Sequence, residues 1–362
     1  MLDFLREKGN APVSESKAQA PSPSAAKGHL SVRALVMLLL AVALVGCQLA
    51  TPSPTPTASA TGSPTPTPTP ASPYPLELPD DEGTTVTIER RPQRIVSLTP
   101  ATTEIVFALG AGERMVGRGD FDDFPPEAVA LPGVATFTGV EHEALVALEP
   151  DLVLAGGNNF TAAADVDRMR DLGIPVLVVY AESLDGVLSD IRLIGLAIDA
   201  PAEAETLLTS MQARISEVSA AVRGLPRPRT FYQIGSEPEI YGPAPDSFIA
   251  DMVSLAGGEP VTTGNPAVFA MPLERLVDQD PQVIVLGDAQ YGVCPTDVLA
   301  RPGWGTITAV REGSIVPVFD TIVTRPGPRL AEGLAALALA IHPDAAITPP
   351  ADLPVLCLVA TP

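Results

Sequence analysis

Glu143 opens the segment Glu143-Ala-Leu-Val-Ala-Leu-Glu-Pro150-Asp-Leu-Val-Leu, and Glu274 opens Glu274-Arg-Leu-Val-Asp-Gln-Asp-Pro281-Gln-Val-Ile-Val. The offset is constant: 274 − 143 = 131 and 281 − 150 = 131. Each copy reads as a helix, a proline turn and a buried strand, so two similar α/β units each present one carboxylate at an equivalent place. Two solvated acids fit the same pattern, because the helix dipole favours any acid in a first turn. A second group is aromatic. Aromatics are only 4% of the chain, yet Phe121, Phe124, Phe137, Phe160, Tyr241, Phe269 and Tyr291 all fall in segments that join apolar runs. Such rings offer stacking surfaces for a flat solute; Phe124 and Phe160 suit the role of loop anchors in the local core equally well. Arg325, within Thr324-Arg-Pro-Gly-Pro-Arg329, is the cation best suited to a ligand carboxylate, phosphate or amide, or else to pinning a Pro/Gly loop. Asp320 could accept from ligand amides or pair with Arg325.

Other chemistries are excluded. Lys+Arg 22 against Asp+Glu 43 gives a net charge of −21, the wrong sign for a nucleic-acid partner. Beyond the first thirty residues the only histidines are His142 and His342, too few for a histidine-rich zinc site, and no resident metal or cofactor is expected. No G-x-S-x-G elbow, P-loop or post-strand G-x-G-x-x-G occurs, so no enzyme reading finds its machinery.

The chain is 362 residues long, enough for about two domains. Arg33 precedes an apolar run, Ala34–Val45, of signal-peptide length. It ends in Leu44-Val45-Gly46-Cys47, which resembles the lipobox of bacterial lipoproteins, whose cysteine becomes the lipidated first residue. Thr51–Pro75 is nearly all Thr, Pro, Ser and Ala. It reads as an extended polyproline tether of order 70–80 Å at about 3.1 Å per residue.

From Val86 strands and helices alternate. Arg94–Leu98, Asp151–Ala155, Val176–Tyr180, Thr230–Ile234, Val283–Leu286 and Ile315–Phe319 read as strands, their continuous apolar character fitting parallel strands covered on both faces. Thr99 reads as a helix cap with Pro100 in the first turn. Leu184–Val222 carries apolar residues at helical spacing, divided or kinked by Pro201, and reads as a stiff strut between two lobes. In such sheets ligands bind beyond the carboxyl ends of the strands, where the aromatic segments lie. Cys294 and Cys357 remain once Cys47 is lipidated; outside the cytoplasm this even pair suits a disulfide to the C-terminal tail, or two free thiols.

Taken together, RIVSLTPATTEIVFALGAGERMVGRGDFDDFPPEA, VEHEALVALEPDLVLAG and ARPGWGTITAVREGSIVPV resemble the iron-siderophore/cobalamin class of ABC-transporter substrate-binding proteins, from about Pro92 to Pro343. The resemblance implies an α/β fold of two Rossmann-like lobes joined by a long rigid helix, with the ligand held between them. It implies that Glu143 and Glu274 dock onto basic residues of ABC permease subunits. Phe121 and Phe137 match ligand-lining positions of cobalamin-binding members, where Tyr or Trp is common. The expected ligand is a corrinoid, with a ferric siderophore or haem as the alternative, or a surface lipoprotein or sensor ectodomain without a transport role. The expected organisation is a leader over 1–46, a lipidated tether over 47–85, an N-terminal lobe over 86–183, a connecting helical region over 184–224, a C-terminal lobe over 225–345 and a tail over 346–362. A monomer outside the cell, held to the membrane by lipid on Cys47, completes the expectation.

Overall fold

The computed structural model describes residues 73–157 and 160–357; the leader, Cys47 and the tether up to residue 72 lie outside the described residues. The first element is an antiparallel hairpin, β1 (Leu76–Pro79) with β2 (Thr85–Ile88). It extends the folded lobe upstream of Val86, the boundary expected from the onset of alternation. Asp80 receives a 2.7 Å ion pair from Arg170, and the Asp81 amide donates to the Val178 carbonyl, so the hairpin is fastened to the lobe that follows.

That lobe runs β3 (Ile95–Ser97), α1 (Pro100–Ala108), β4 (Met115–Gly119), β5 (Gly133–Thr136), β6 (Gly139–Val140), α2 (His142–Ala147), β7 (Leu152–Ala155), α3 (Ala163–Asp171) and β8 (Val176–Val178). Its sheet has the order β6-β5-β4-β3-β7-β8, parallel except for β5–β6. Successive residues of β7 alternate between two cores. Leu152 and Leu154 join the core with Ile105 of α1, whereas Val153 and Ala155 join the one with Leu145 of α2 and Met169 of α3. The period-two pleat of a sheet covered on both faces therefore accounts for the unbroken apolar runs. Thr99 caps α1, accepting from the Thr102 amide, with Pro100 in the first turn.

Two helices link the lobes, α4 (Leu184–Ala197) and α5 (Pro201–Val222). The break at Pro201 separates them, and Asp199 between them has a φ of 58°. A Cβ on Gly195 would lie 2.5 Å from the Ala204 side chain, so glycine is what permits α4 and α5 to approach so closely. The strut is thus α5 alone, 22 residues or about 33 Å at 1.5 Å per residue. Ala204, Leu208, Met211 and Val218 of α5 belong to one core that includes Ile95 and Leu152 on one side and Leu330–Ile341 residues on the other.

The second lobe comprises β9 (Arg229–Gln233), α6 (Phe248–Leu255), β10 (Glu259–Pro260), α7 (Leu273–Gln279), β11 (Val283–Leu286), α8 (Pro295–Leu299), α9 (Thr308–Glu312), β12 (Ile315–Pro317), α10 (Asp320–Thr324) and α11 (Leu330–Ile341). Its parallel sheet has the order β10-β9-β11-β12. Laid on the first sheet, β3 corresponds to β9 and β7 to β11, as the sequence repeat requires. Arg214 of α5 binds Glu217 and, at 2.9 Å, Glu332 of α11, adding a charged tie to the apolar one. The C-terminal segment is held by a disulfide between Cys294 and Cys357, whose Cα atoms lie 5.5 Å apart.

Candidate functional site

The two lobes meet through segments that follow β3, β4 and β12. Glu104 on α1, the helix after β3, is almost wholly buried, its side chain 2% exposed. Its Oε1 accepts from Arg325 at 2.7 Å, and Arg329 reaches both of its oxygens, at 2.7 and 2.9 Å. Asp123, in the loop after β4, takes a second bond from Arg325 at 2.8 Å. The Arg329 guanidinium lies 3.9 Å from the Phe124 ring centre, a cation–π contact across the same junction. The carboxyl edges of both sheets therefore share one junction, where ligands of open α/β sheets sit.

The loop after β4 is organised by Asp122. One carboxylate oxygen accepts from Thr103 Oγ1 at 2.5 Å and the Gly119 amide at 3.1 Å; Oδ1 has no hydrogen-bond partner. Burial pushes this carboxyl up to about 6, against the opposing pull of those hydrogen bonds. Phe121 and Phe124 flank this anchored residue in the loop. Phe124 is thus a contact between lobes, not only an anchor within its own.

The remaining rings follow the same edges. Phe137 follows β5, Phe160 follows β7, Phe269 follows β10 and Tyr291 follows β11. With Phe121 they are between 47% and 73% exposed. A single exposed ring is ordinary; here several lie in loops that follow strands of the two sheets. Tyr241 is half-buried, and its backbone bridges Gly235 on one side and Ala270 on the other. That bridging brings Tyr241 beside Phe269, whose carbonyl accepts from the Gly242 amide at 2.9 Å. A shallow hollow of about 420 Å³ lined by Glu239, Ile240, Met271 and Leu273 lies alongside, within the second lobe.

Beneath the rim of the second lobe is a polar layer of which the sequence reading named only Asp320. Tyr232 donates to Asp320 at 2.6 Å and Thr324 donates to it at 3.0 Å, so Asp320 pairs with these hydroxyls, not with Arg325. Gln233 and Ser236 donate to Asp288, and Arg301 donates to Gln233 at 2.7 Å. Burial raises the Asp288 and Asp320 carboxyls above their ordinary range. The signal available was one acid shortly after each of β11 and β12, Asp288 two residues and Asp320 three residues past the strand end.

Of the two roles open to Arg325, ligand cation or loop pin, the structure favours the pin: its Nη1 goes to Glu104 and Asp123. Glu104 went unread because nothing in its local segment, Ala-Thr-Thr-Glu-Ile-Val-Phe-Ala-Leu, marks it, and its partners lie more than 200 positions away. Glu143 and Glu274 stand exposed in the first turns of α2 and α7. Beside Glu143, His142 is held by Asp165 at 2.8 Å.

The equivalence of the two glutamates extends to the ends of their helices. Glu149 and Asp280 both adopt left-handed backbone, with φ of 46° and 43°, directly before Pro150 and Pro281. The family model for periplasmic binding proteins matches residues 95–318, both lobes included. The chain is a periplasmic binding protein. An ABC transporter substrate-binding lipoprotein of Bacillus subtilis is 33% identical over 276 residues, covering 75% of this chain and 87% of the relative. A cobalamin-binding protein of Halobacterium salinarum is 31% identical over 287 residues, 74% of each chain. The crystal structure of a possible iron-binding periplasmic solute-binding protein from Staphylococcus epidermidis superposes with a TM-score of 0.61 at 27% identity, covering 70% of this chain and all of that one. Periplasmic binding proteins capture solutes and do not transform them, and two Rossmann-like lobes with a helical strut are the architecture found here.

Proposed function

We propose that this chain is the extracytoplasmic solute-binding component of an ABC importer and that its ligand is a corrinoid. The observation that carries the reading is the combination at the lobe junction. Exposed rings from both lobes stand ready to cover a flat, bulky solute, while the arginines at the junction are already matched by Glu104 and Asp123. A ferric siderophore or haem would bring carboxylates or catecholates and would favour uncompensated cations. A corrinoid offers an apolar ring face and neutral amides, which exposed rings can cover without calling for an unpaired cation. The cobalamin-binding relative supports the same ligand class. The possible iron-binding relative supports an iron chelate as the second reading.

Glu143 and Glu274 are the docking acids in this reading, one per lobe, each accepting from basic residues of a permease subunit. Two separated charges orient docking and speed encounter. Cys47 is the lipid anchor, and the substrate-binding relative named as a lipoprotein supports it. With a net charge of −21 the chain has no attraction for anionic headgroups. Acyl chains then supply the membrane affinity, about 0.8 kcal/mol per buried methylene.

Calorimetric titration against cyanocobalamin, cobinamide, haem and a ferric catecholate siderophore tests the ligand. Saturable one-to-one binding of the two corrinoids, tighter than of either iron compound, is expected. Binding confined to haem or the siderophore overturns the corrinoid assignment.

A further inference from the structure

Two neighbouring residues of α1 face two different parts of the junction. Thr103 donates to Asp122 and so holds the loop that carries Phe121. Glu104 holds Arg325 and Arg329 of the second lobe, and Arg325 returns to Asp123 of the same loop. The circuit runs from α1 to the second lobe, back to the loop after β4, and to α1 again. Within it, both oxygens of Glu104 are used and its side chain is only 2% exposed. The arginine side chains it neutralises are only 17% and 23% exposed, whereas the side chain of Asp123 at the rim is 67% exposed. Glu104 is therefore the one deeply buried anion between two poorly hydrated cations. Breaking a buried ion pair by removing one partner leaves the other charge uncompensated. Here that partner is shared by two cations, so its loss leaves Arg329 without its carboxylate and Arg325 with only the exposed Asp123.

We propose that Glu104 is a positioning residue, the pin of an inter-lobe latch that sets how closely the aromatic rims face one another and how firmly the Phe121 loop is held. Ligand affinity then depends on a residue that touches no ligand. The affinity arm rests on the solute-binding reading, whereas the latch itself is read without ligand. The α5 strut and its apolar packing limit the lobes' coarse separation, and the latch fixes the fine one.

Hydrogen–deuterium exchange on the full chain, without ligand, compares wild type with Glu104→Gln and Glu104→Asp. The Gln variant keeps the volume and removes the charge. Amides of residues 120–124 and 321–330 are expected to exchange at least tenfold faster, with β7 and β11 unchanged. The Asp variant should restore protection to within about threefold. Calorimetry should show the cyanocobalamin Kd of the Gln variant raised at least tenfold. Unchanged exchange in both segments overturns the latch. Acceleration spread through β3, β7 and β8 also overturns it, because Glu104 would then be a general support of its own lobe. Should Glu104→Gln fail to fold, Arg329→Gln decides the matter: it leaves the Glu104–Arg325 pair and should loosen 321–330 by at least threefold, and no change there overturns the proposal. A wild-type chain that binds no corrinoid sinks the ligand reading, and the exchange result still decides the latch.

Discussion

Arg229 repeats in the second lobe the contact that Arg94 makes in the first. Arg94 Nε donates to the Leu148 and Glu149 carbonyls at 2.9 and 3.2 Å, and Arg229 Nε donates to those of Gln279 and Asp280 at 2.9 and 3.1 Å. The next link repeats as well: the Asp151 amide donates to the Arg94 carbonyl and the Gln282 amide to the Arg229 carbonyl. Each arginine thereby ties the end of a glutamate-bearing helix to the first strand of its lobe. It satisfies carbonyls that the helix end leaves unpaired and places a cation at the negative end of the dipole. Arg94→Ala and Arg229→Ala should each lower stability by about 1–2 kcal/mol, since charged hydrogen bonds at partly exposed sites are worth that order. Urea unfolding checks it, with ligand affinity expected to stay within twofold. A midpoint that does not move in either variant contradicts this account of the helix ends.

The docking assignment has its own test. Glu143→Ala combined with Glu274→Ala should leave the ligand Kd unchanged, because both side chains stand exposed in the first turns of α2 and α7 and neither is one of the rings assigned to the ligand. Stimulation of the cognate transporter's ATPase in proteoliposomes should fall to the basal level. Stimulation at the wild-type level removes these glutamates from the docking surface.

Phe121 lies in the loop held by Asp122 and is 55% exposed. Phe121→Ala should weaken corrinoid binding by about tenfold or more, roughly 1.4 kcal/mol per decade. Phe121→Trp should retain or improve it. A calorimetric Kd unaltered by the alanine takes this ring out of the ligand surface.

Asp190 on α4 couples stability to pH. Burial, the neighbouring charge of Asp81 and a hydrogen bond to it push its carboxyl from 3.8 up to about 8. Between those values the folded chain holds a proton that the unfolded chain gives up, so stability falls as pH rises and the whole contribution is lost above about 8. Asp190→Asn, which can still donate to Asp81, should have a flatter profile of Tm against pH. At pH 9 it should exceed the wild type by an amount on the order of a few kcal/mol. Parallel wild-type and variant profiles from pH 5 to 9 would show that Asp190 does not hold the proton.

The elements with strong local signals were legible from the chain. The strands that became β3, β7, β8, β9, β11 and β12 are continuous apolar runs because both faces of each sheet are covered, and the cap at Thr99 depends on neighbours three residues away. The 131-residue repeat led to Glu143 and Glu274 because a fold used twice places equivalent residues equivalently. The division at Pro201 was visible in the same way. Less visible were the β1–β2 hairpin, short strands half open to solvent beside a proline-rich tract, and the two-residue strands β6 and β10.

What sequence determined, then, was everything governed by periodicity and short-range chemistry: the alternation of elements, the doubling of the lobe, the places where rings gather and the lipobox-like leader. Tertiary structure alone decided the partners. Arg325 read equally well as a ligand cation until folding brought Glu104, 221 positions away, against it, and Asp320 went to Tyr232 instead of its near neighbour. A charge selects its counter-ion by distance and dielectric in space, and neither quantity is written in the order of residues along the chain.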